Sequence, residues 1–344
     1  MENREASHAR RGSHPRWRRM AWIALLAPLL AAPIARAGEY DATHPLVKVV
    51  ASQVRSNELA QLLRQLTGAE AVSTNGKPAF ITARHTTSGK PLRLALNFAG
   101  EQFAAAGLAV EYHGWSRAGY TNRNLIATQP GTTRANEYIW FTAHLDVRSL
   151  EARAPGADDN ASGCAAVLVA AKILSRFNFE RTIRYALFTG EEQGGLGSAV
   201  EADRARAAGE NIVGVINADM IAWDKRGPPV LRIVTRTNSH PQFAQDLALA
   251  AAVTNVIQSC GLGRELSPVI TMTGNEASDH ASFWERGYPA VLVSEDFTRD
   301  GNPFYHTPKD TLARVNWRYF TAAVRALTAS VAELAGPVGR SPIR

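Results

Sequence analysis

Cysteine is scarce in this chain: Cys164 and Cys260 are the only two in 344 residues. Two thiols exclude a disulfide framework and a cysteine-ligated zinc site. They leave either one bond between the pair or a buried free thiol at Cys164, which lies in a run of small apolar residues. A long apolar span is missing too. The apolar run "AWIALLAPLLAAPIA", residues 21–35, is interrupted by Pro28 and Pro33 and falls short of the roughly 20 residues that a membrane helix needs. An excess of one charge is also lacking once the first 37 residues are set aside. They hold seven arginines and two glutamates, which leaves 31 basic against 29 acidic side chains from residue 38 onward. No nucleic-acid partner is expected from such a balance. Internal repeats and low-complexity tracts are absent as well.

What is present begins with the layout of a secretory signal: an arginine-bearing opening, the apolar run, and "ARA" at residues 35–37 as a small-x-small cleavage site. Cleavage there would export residues 38–344 as a single domain, periplasmic or extracellular, with no stable membrane anchor left. The composition of 45% hydrophobic and 20% charged residues is that of a globular protein. Helical periodicity marks residues 56–68, 91–108, 161–177, 195–208, 240–253 and 319–336. Strand-like runs include "AVEYHGW", "RNLIATQPG", "EYIWFTA", "TIRYALFTG", "NIVGVINADM", "PVLRIVTR", "SPVITM" and "YPAVLVSED". From residue 137 onward, apolar strands alternate with helices. The fold class is therefore α/β, with a mostly parallel sheet covered on both faces.

Ligands in such sheets bind beyond the carboxyl ends of the strands, and polar residues collect there. "IWFTAHLDV" ends on His144 and Asp146, "ALFTGEE" on Glu191 and Glu192, and "VGVINADM" reaches Asp219. "PGADDNASG" places Asp158 and Asp159 before a helix, and "NPFYHTPKDT" adds Tyr305, His306 and Asp310. Singly, each has an ordinary explanation: a helix cap at Asp158 or Asp159, solvated acids in a first helical turn at Glu191 and Glu192, a core histidine at His144. Together they form a mixed nitrogen and oxygen donor set suited to zinc.

The ordered set "TAHLDV", "PGADDNASG", "FTGEEQGGLGS", "INADM", "SDHASF" and "YHTPKDT" resembles the secreted two-zinc aminopeptidases of metallopeptidase family twenty-eight, which include bacterial leucine aminopeptidases. The resemblance implies a three-layer α/β/α sandwich around a mixed sheet, and two zinc ions. It makes Asp159 the carboxylate shared by both ions, following a pattern in which the acid just before Asn160 is the ligand, so that Asp158 is not. It also implies a cis peptide bond between Asp159 and Asn160. His144 and Asp219 would complete one site, Glu192 and His306 the other, with Asp279 and His280 left outside the set.

Two zinc ions can share a water and lower its pKa. Glu191, next to a ligand but free of one, would then be the general base. Asp146, two residues along an extended segment from His144, would accept the imidazole's second N–H. Asp310 would support His306. Tyr305 would donate to the oxyanion or simply pack. Substrates would be peptides with a free N-terminus, drawn by the acidic surroundings of Glu191 and Asp219, with Trp223, Phe283, Phe304 and Tyr305 lining an apolar pocket. Two other readings stand beside this one. One is a single-zinc enzyme resembling glutaminyl cyclases. The other is a catalytically silent binding ectodomain of the same fold.

Overall fold

A computed structural model describes residues 43–74 and 76–339, all within one compact unit. The segment read as a signal peptide lies outside the described residues. No helix among them is long and apolar enough to cross a membrane.

Eight strands make the central sheet: β1 (Ala109–Arg117), β2 (Tyr120–Gln129), β3 (Arg134–His144), β4 (Arg181–Phe188), β5 (Asn211–Ala218), β6 (Val230–Val234), β7 (Ser267–Thr271) and β8 (Ala290–Ser294). Their spatial order is β7-β6-β8-β5-β3-β4-β2-β1. The pairs β7/β6, β8/β5, β5/β3 and β3/β4 are parallel, whereas β6/β8, β4/β2 and β2/β1 are antiparallel. The sheet is therefore mixed and largely parallel, as the resemblance implied. The strand-like runs and helical segments read from the sequence all fall on observed elements.

Alternation along β3 shows why both faces are covered. Ile139, Phe141 and Ala143 point into one core, while Trp140 points into another with Phe188 and Phe283. The first core is roofed by α1 (Pro45–Gln53), α2 (Ser56–Leu66), α3 (Lys90–Ala105), α4 (Gly163–Leu174), α6 (Phe243–Ser259) and α8 (Trp317–Ala335). The second is closed by α5 (Leu196–Ala207) and the short α7 (His280–Glu285). Eleven of the twelve residues of α4 are buried, Lys172 being the exception, and most of them are small. A helix this enclosed reads as an apolar block rather than as a stripe. Asn316 begins α8 by accepting the Tyr319 N–H at 3.2 Å.

From β3 the chain reaches β4 through α4 on one face, and from β4 it reaches β5, on the far side of β3, through α5 on the other. The crossovers thus diverge at β3, which opens a crevice at the carboxyl ends of β3, β4 and β5. Register aligns those ends, with His144 beside Phe188 and Thr142 beside Asn217.

Candidate metal centre

The crevice is where the polar residues meet. His144 is the last residue of β3, Asp219 follows β5, and Glu191 and Glu192 occupy a tight turn after β4. Gly190 opens that turn at φ 80°, and a Cβ there would stand 2.7 Å from the Trp115 ring. Asp159 comes from the loop before α4, across a cis bond to Asn160 as the resemblance implied. Asn160 ties this loop to β5 by donating to the Ala218 carbonyl at 2.9 Å and accepting from Gly163 N–H at 2.9 Å. A Cβ at Gly163 would lie 2.3 Å from the Ala218 oxygen, so glycine lets α4 start hard against the strand.

Asp159 turns its two oxygens to different partners. Oδ1 is 3.4 Å from His144 Nε2, which is itself 3.2 Å from Asp219 Oδ1. Oδ2 is 3.4 Å from His306 Nε2, which is 3.0 Å from Glu192 Oε2. His144, Asp159 and Asp219 thus form one group of convergent donor atoms, and Asp159, Glu192 and His306 another, each within 4.8 Å. A further group joins His144 to Glu191 and Glu192. All five residues expected as ligands are brought together, with Asp159 common to two groups.

The surroundings fit cations. Glu192 Oε1 is buried with no hydrogen-bond partner, an expensive arrangement unless something positive meets it. No arginine or lysine pairs with Asp159, Glu191, Glu192 or Asp219 among the described residues; their ion pairs are to His144 and His306. Burial pushes Glu192 up to about 7 and holds Glu191 well above the ordinary carboxylate range. Burial works against a proton on His144, but the Asp219 and Glu191 carboxylates around it hold its pKa well above the usual histidine value. Histidine nitrogens and carboxylate oxygens in two groups sharing one aspartate suit zinc or a similar divalent ion.

Backbone geometry singles out the same place. Ala118, Met220 and His306 are the non-glycine residues with positive φ among those described, and two of them, His306 and Met220, belong to the site. Met220 is pinned by Glu295 N–H donating to its carbonyl at 2.8 Å.

Several supporting roles differ from expectation. The Asp146 carbonyl, not its carboxylate, lies closest to His144 Nδ1, at 3.2 Å against 3.8 Å. The Asp146 carboxylate instead accepts the N–H groups of Glu191 at 3.3 Å and Glu192 at 3.2 Å, and the Thr86 hydroxyl at 2.9 Å. Asp310 does not reach His306; its carboxylate accepts both the Asp158 and Asp159 N–H groups at 3.0 Å. It steadies the shared aspartate rather than the second histidine. Phe283 is fully buried against Trp140 and Phe188 and lines no pocket, because α7 turns it into the core. Trp223 packs edge-on against Phe304, and Tyr305 stacks on His306 with centroids 3.5 Å apart. Asp158 accepts from Ala222 N–H and Asn302 and faces away from both histidines. Cys164 and Cys260 are both free, and the buried Cys164 thiol donates to the His144 carbonyl.

Other residues take roles that the sequence reading did not give them. Arg84, wholly buried, donates to the carbonyls of Leu66, Leu145, Pro155 and Gly156 and so holds the loop of Asp159 against the end of β3. Ser278 donates to Asp219 Oδ2 at 2.6 Å. Asp279, also wholly buried, has two unpartnered oxygens and is pushed by burial up to about 7. A buried arginine bonded to carbonyls leaves no pattern in a sequence.

Comparison with known proteins adds a family. The model of "Peptidase family M28" matches residues 124–331. A "Probable leucine aminopeptidase" of Arthroderma otae is 29% identical over 226 residues, covering 62% of this chain and 57% of that protein. The chain thus spans under two thirds of the length of the curated relatives first matched. Among solved structures, the Legionella pneumophila LapA aminopeptidase aligns with TM-score 0.69 at 21% identity, over 86% of this chain and 75% of its own. A Macrostomum lignano glutaminyl cyclase aligns with TM-score 0.67 at 17% identity, over 85% and 94%. Likenesses at these identities establish the fold.

Proposed function

The chain belongs to peptidase family M28, and we propose that it is an exported aminopeptidase that removes N-terminal residues from peptides, using two zinc ions. The observation that carries the two-ion reading is Asp159, whose oxygens face two separate histidine–carboxylate pairs. His144 and Asp219 would hold one ion, Glu192 and His306 the other, and Asp159 both. When bound, such ions polarise a peptide carbonyl and acidify water.

The protein's own groups then have distinct tasks. Glu191 is the general base: it takes a proton from the attacking water and returns it to the departing amine. Its burial favours the neutral acid, which brings its proton affinity towards that of a group working near neutrality. Asp146 fixes the Glu191 and Glu192 N–H groups, so base and ligand are held in register. Tyr305, whose phenol burial and nearby carboxylates keep protonated, would donate to the developing oxyanion. Glu191 and Asp219 supply negative charge for the substrate ammonium group.

The glutaminyl-cyclase reading needs one ion and leaves part of the five-residue donor set without a metal role, and the silent-ectodomain reading leaves the whole set unused. Substituting Glu191→Gln separates chemistry from architecture. Turnover of leucyl anilides should fall at least about a hundredfold while zinc content stays at the wild-type level. Unchanged turnover would remove Glu191 from its role.

A further inference from the structure

Arg148 is an arginine without a carboxylate partner among the described residues, placed on the rim of the metal centre. It is exposed, and its guanidinium is tethered by one Nη1 hydrogen bond to the main-chain carbonyl of Glu192. The remaining N–H groups are free for another acceptor. It lines a cavity of about 400 Å³ together with His85, Tyr120, Leu150, Glu192 and Gln193. It also lines the narrow cleft that contains Asp159 and His306. Arg148 therefore overlooks the Glu192–His306 half of the centre from outside.

The other half has the opposite charge. Asp219 and Glu191 both lie within 4.0 Å of His144, and the buried Asp279 follows Ser278, which donates to Asp219. The centre is therefore polar from end to end, acidic beside His144 and basic beyond Glu192. The acid in the cavity wall, Glu192, directs Oε2 to His306 rather than to Arg148. Burial holds His85 below the ordinary histidine range, with the Asp146 carboxylate opposing and the Arg148 charge adding to it, so it enters the pocket as a neutral hydrogen-bonding group whose Nδ1 pairs with the Thr87 hydroxyl. A short peptide carries the complementary pair of charges: an ammonium at its head and a carboxylate at its tail, separated by a few residues.

We propose that the pocket of Arg148, His85 and Tyr120 is a subsite for the α-carboxylate of di- and tripeptide substrates, which makes the protein selective for short peptides with a free C-terminus. The proposal rests on the aminopeptidase reading and adds the substrate class. An arginine fork matches a carboxylate bidentately, and an arginine already steered by one carbonyl loses less freedom when the carboxylate arrives.

The test compares three substrates with the same N-terminal residue on the zinc-loaded protein at low salt: Leu-Gly-Gly, its C-terminal amide, and leucyl p-nitroanilide. Leu-Gly-Gly should exceed its amide in kcat/KM by about tenfold, the scale of one charge-assisted contact. Added salt should shrink that ratio as the charges are screened. In Arg148→Gln the ratio should fall towards one, whereas Arg148→Lys, which keeps the charge without the fork, should lie between. Because the readout is a ratio within each protein, a general loss caused by the lost tether to Glu192 cancels. A wild-type ratio near one, with the anilide still cleaved, overturns the subsite and leaves the aminopeptidase reading standing. The same ratio in Arg148→Gln as in wild type also overturns it. Failure to cleave any of the three would fall on the aminopeptidase reading itself and would take the subsite with it.

Discussion

Two buried charge clusters lie at opposite ends of the strands of the same sheet and are built in opposite ways. At the end of β6, Arg236 donates to Asp246 through Nε at 2.6 Å and Nη2 at 2.7 Å, and Asp246 also accepts the N–H groups of Arg236 and Ala290. Asp246 is wholly buried, yet every demand it makes is met within the protein. At the carboxyl ends of β3 to β5, Asp159, Glu191, Glu192 and Asp219 are crowded with, among the described residues, only two imidazoles for ion-pair partners. The first arrangement is a self-contained structural pair. The second is built for positive charge supplied from outside, and Glu192 Oε1, buried without a partner, marks the difference at the level of one atom.

Mutations at the two ends of the strands should therefore divide function from stability. The largest effect is expected at Asp159→Asn, which removes the shared ligand. Turnover of leucyl anilide should drop by about a thousandfold or more, while the melting temperature of the chelated protein holds or rises because one crowded charge is gone. A stable, active Asp159→Asn protein would erase the contrast.

At the other end, Arg236→Met leaves Asp246 charged and alone in the interior. Urea denaturation should show a loss of about 3–5 kcal/mol, with zinc content per folded molecule unchanged. A loss below about 1 kcal/mol would mean that the pair at β6 is no more self-contained than the site.

The least localised expected effect is a pH slope confined to the metal-free protein. Folding raises Asp310 to about 8, Asp279 to about 7 and Asp158 to about 6, chiefly through burial. Each folded-state proton affinity thus exceeds that of the unfolded chain, where carboxyls titrate near pH 4. Such groups stabilise the fold fully below about pH 4 and lose that contribution as pH rises through their folded values. Melting of the chelated protein should accordingly fall between pH 5 and 8, and zinc should flatten the trend. A chelated protein equally stable at both values would contradict the crowding.

How much of this was legible in the sequence follows from the physics of each part. The strands β3, β4, β5 and β8 announce themselves because burial on both faces demands unbroken apolar runs, and α4 because its enclosure demands small ones. The helix α1 escaped because its "LVKVVA" stretch reads equally as a strand; His44 at its start and packing against the α8 face decide otherwise. At six residues, α7 is too short to show a period.

The ligands themselves were legible as types at strand ends, and the family resemblance ordered them. Asp158 and Asp159 are alike in sequence, and only the turn of the loop sends one to Ala222 N–H and the other to the histidines. Asp146 meets His144 as expected but through its carbonyl, whereas Asp310 was placed at the right site with the wrong partner. Sequence spacing tells which face a residue shares, but not whether its carboxylate or its carbonyl is the nearer atom. The buried Arg84 and the unpartnered Asp279 depend on contacts across the fold that no local pattern encodes.

The shared aspartate is tested most directly by anomalous scattering at the zinc edge from crystals of the zinc-loaded protein. Two peaks are expected, one on each side of the Asp159 carboxylate, the first also touched by His144 and Asp219 and the second by Glu192 and His306. A single peak beside Glu192 and His306, or none at all, would contradict the account.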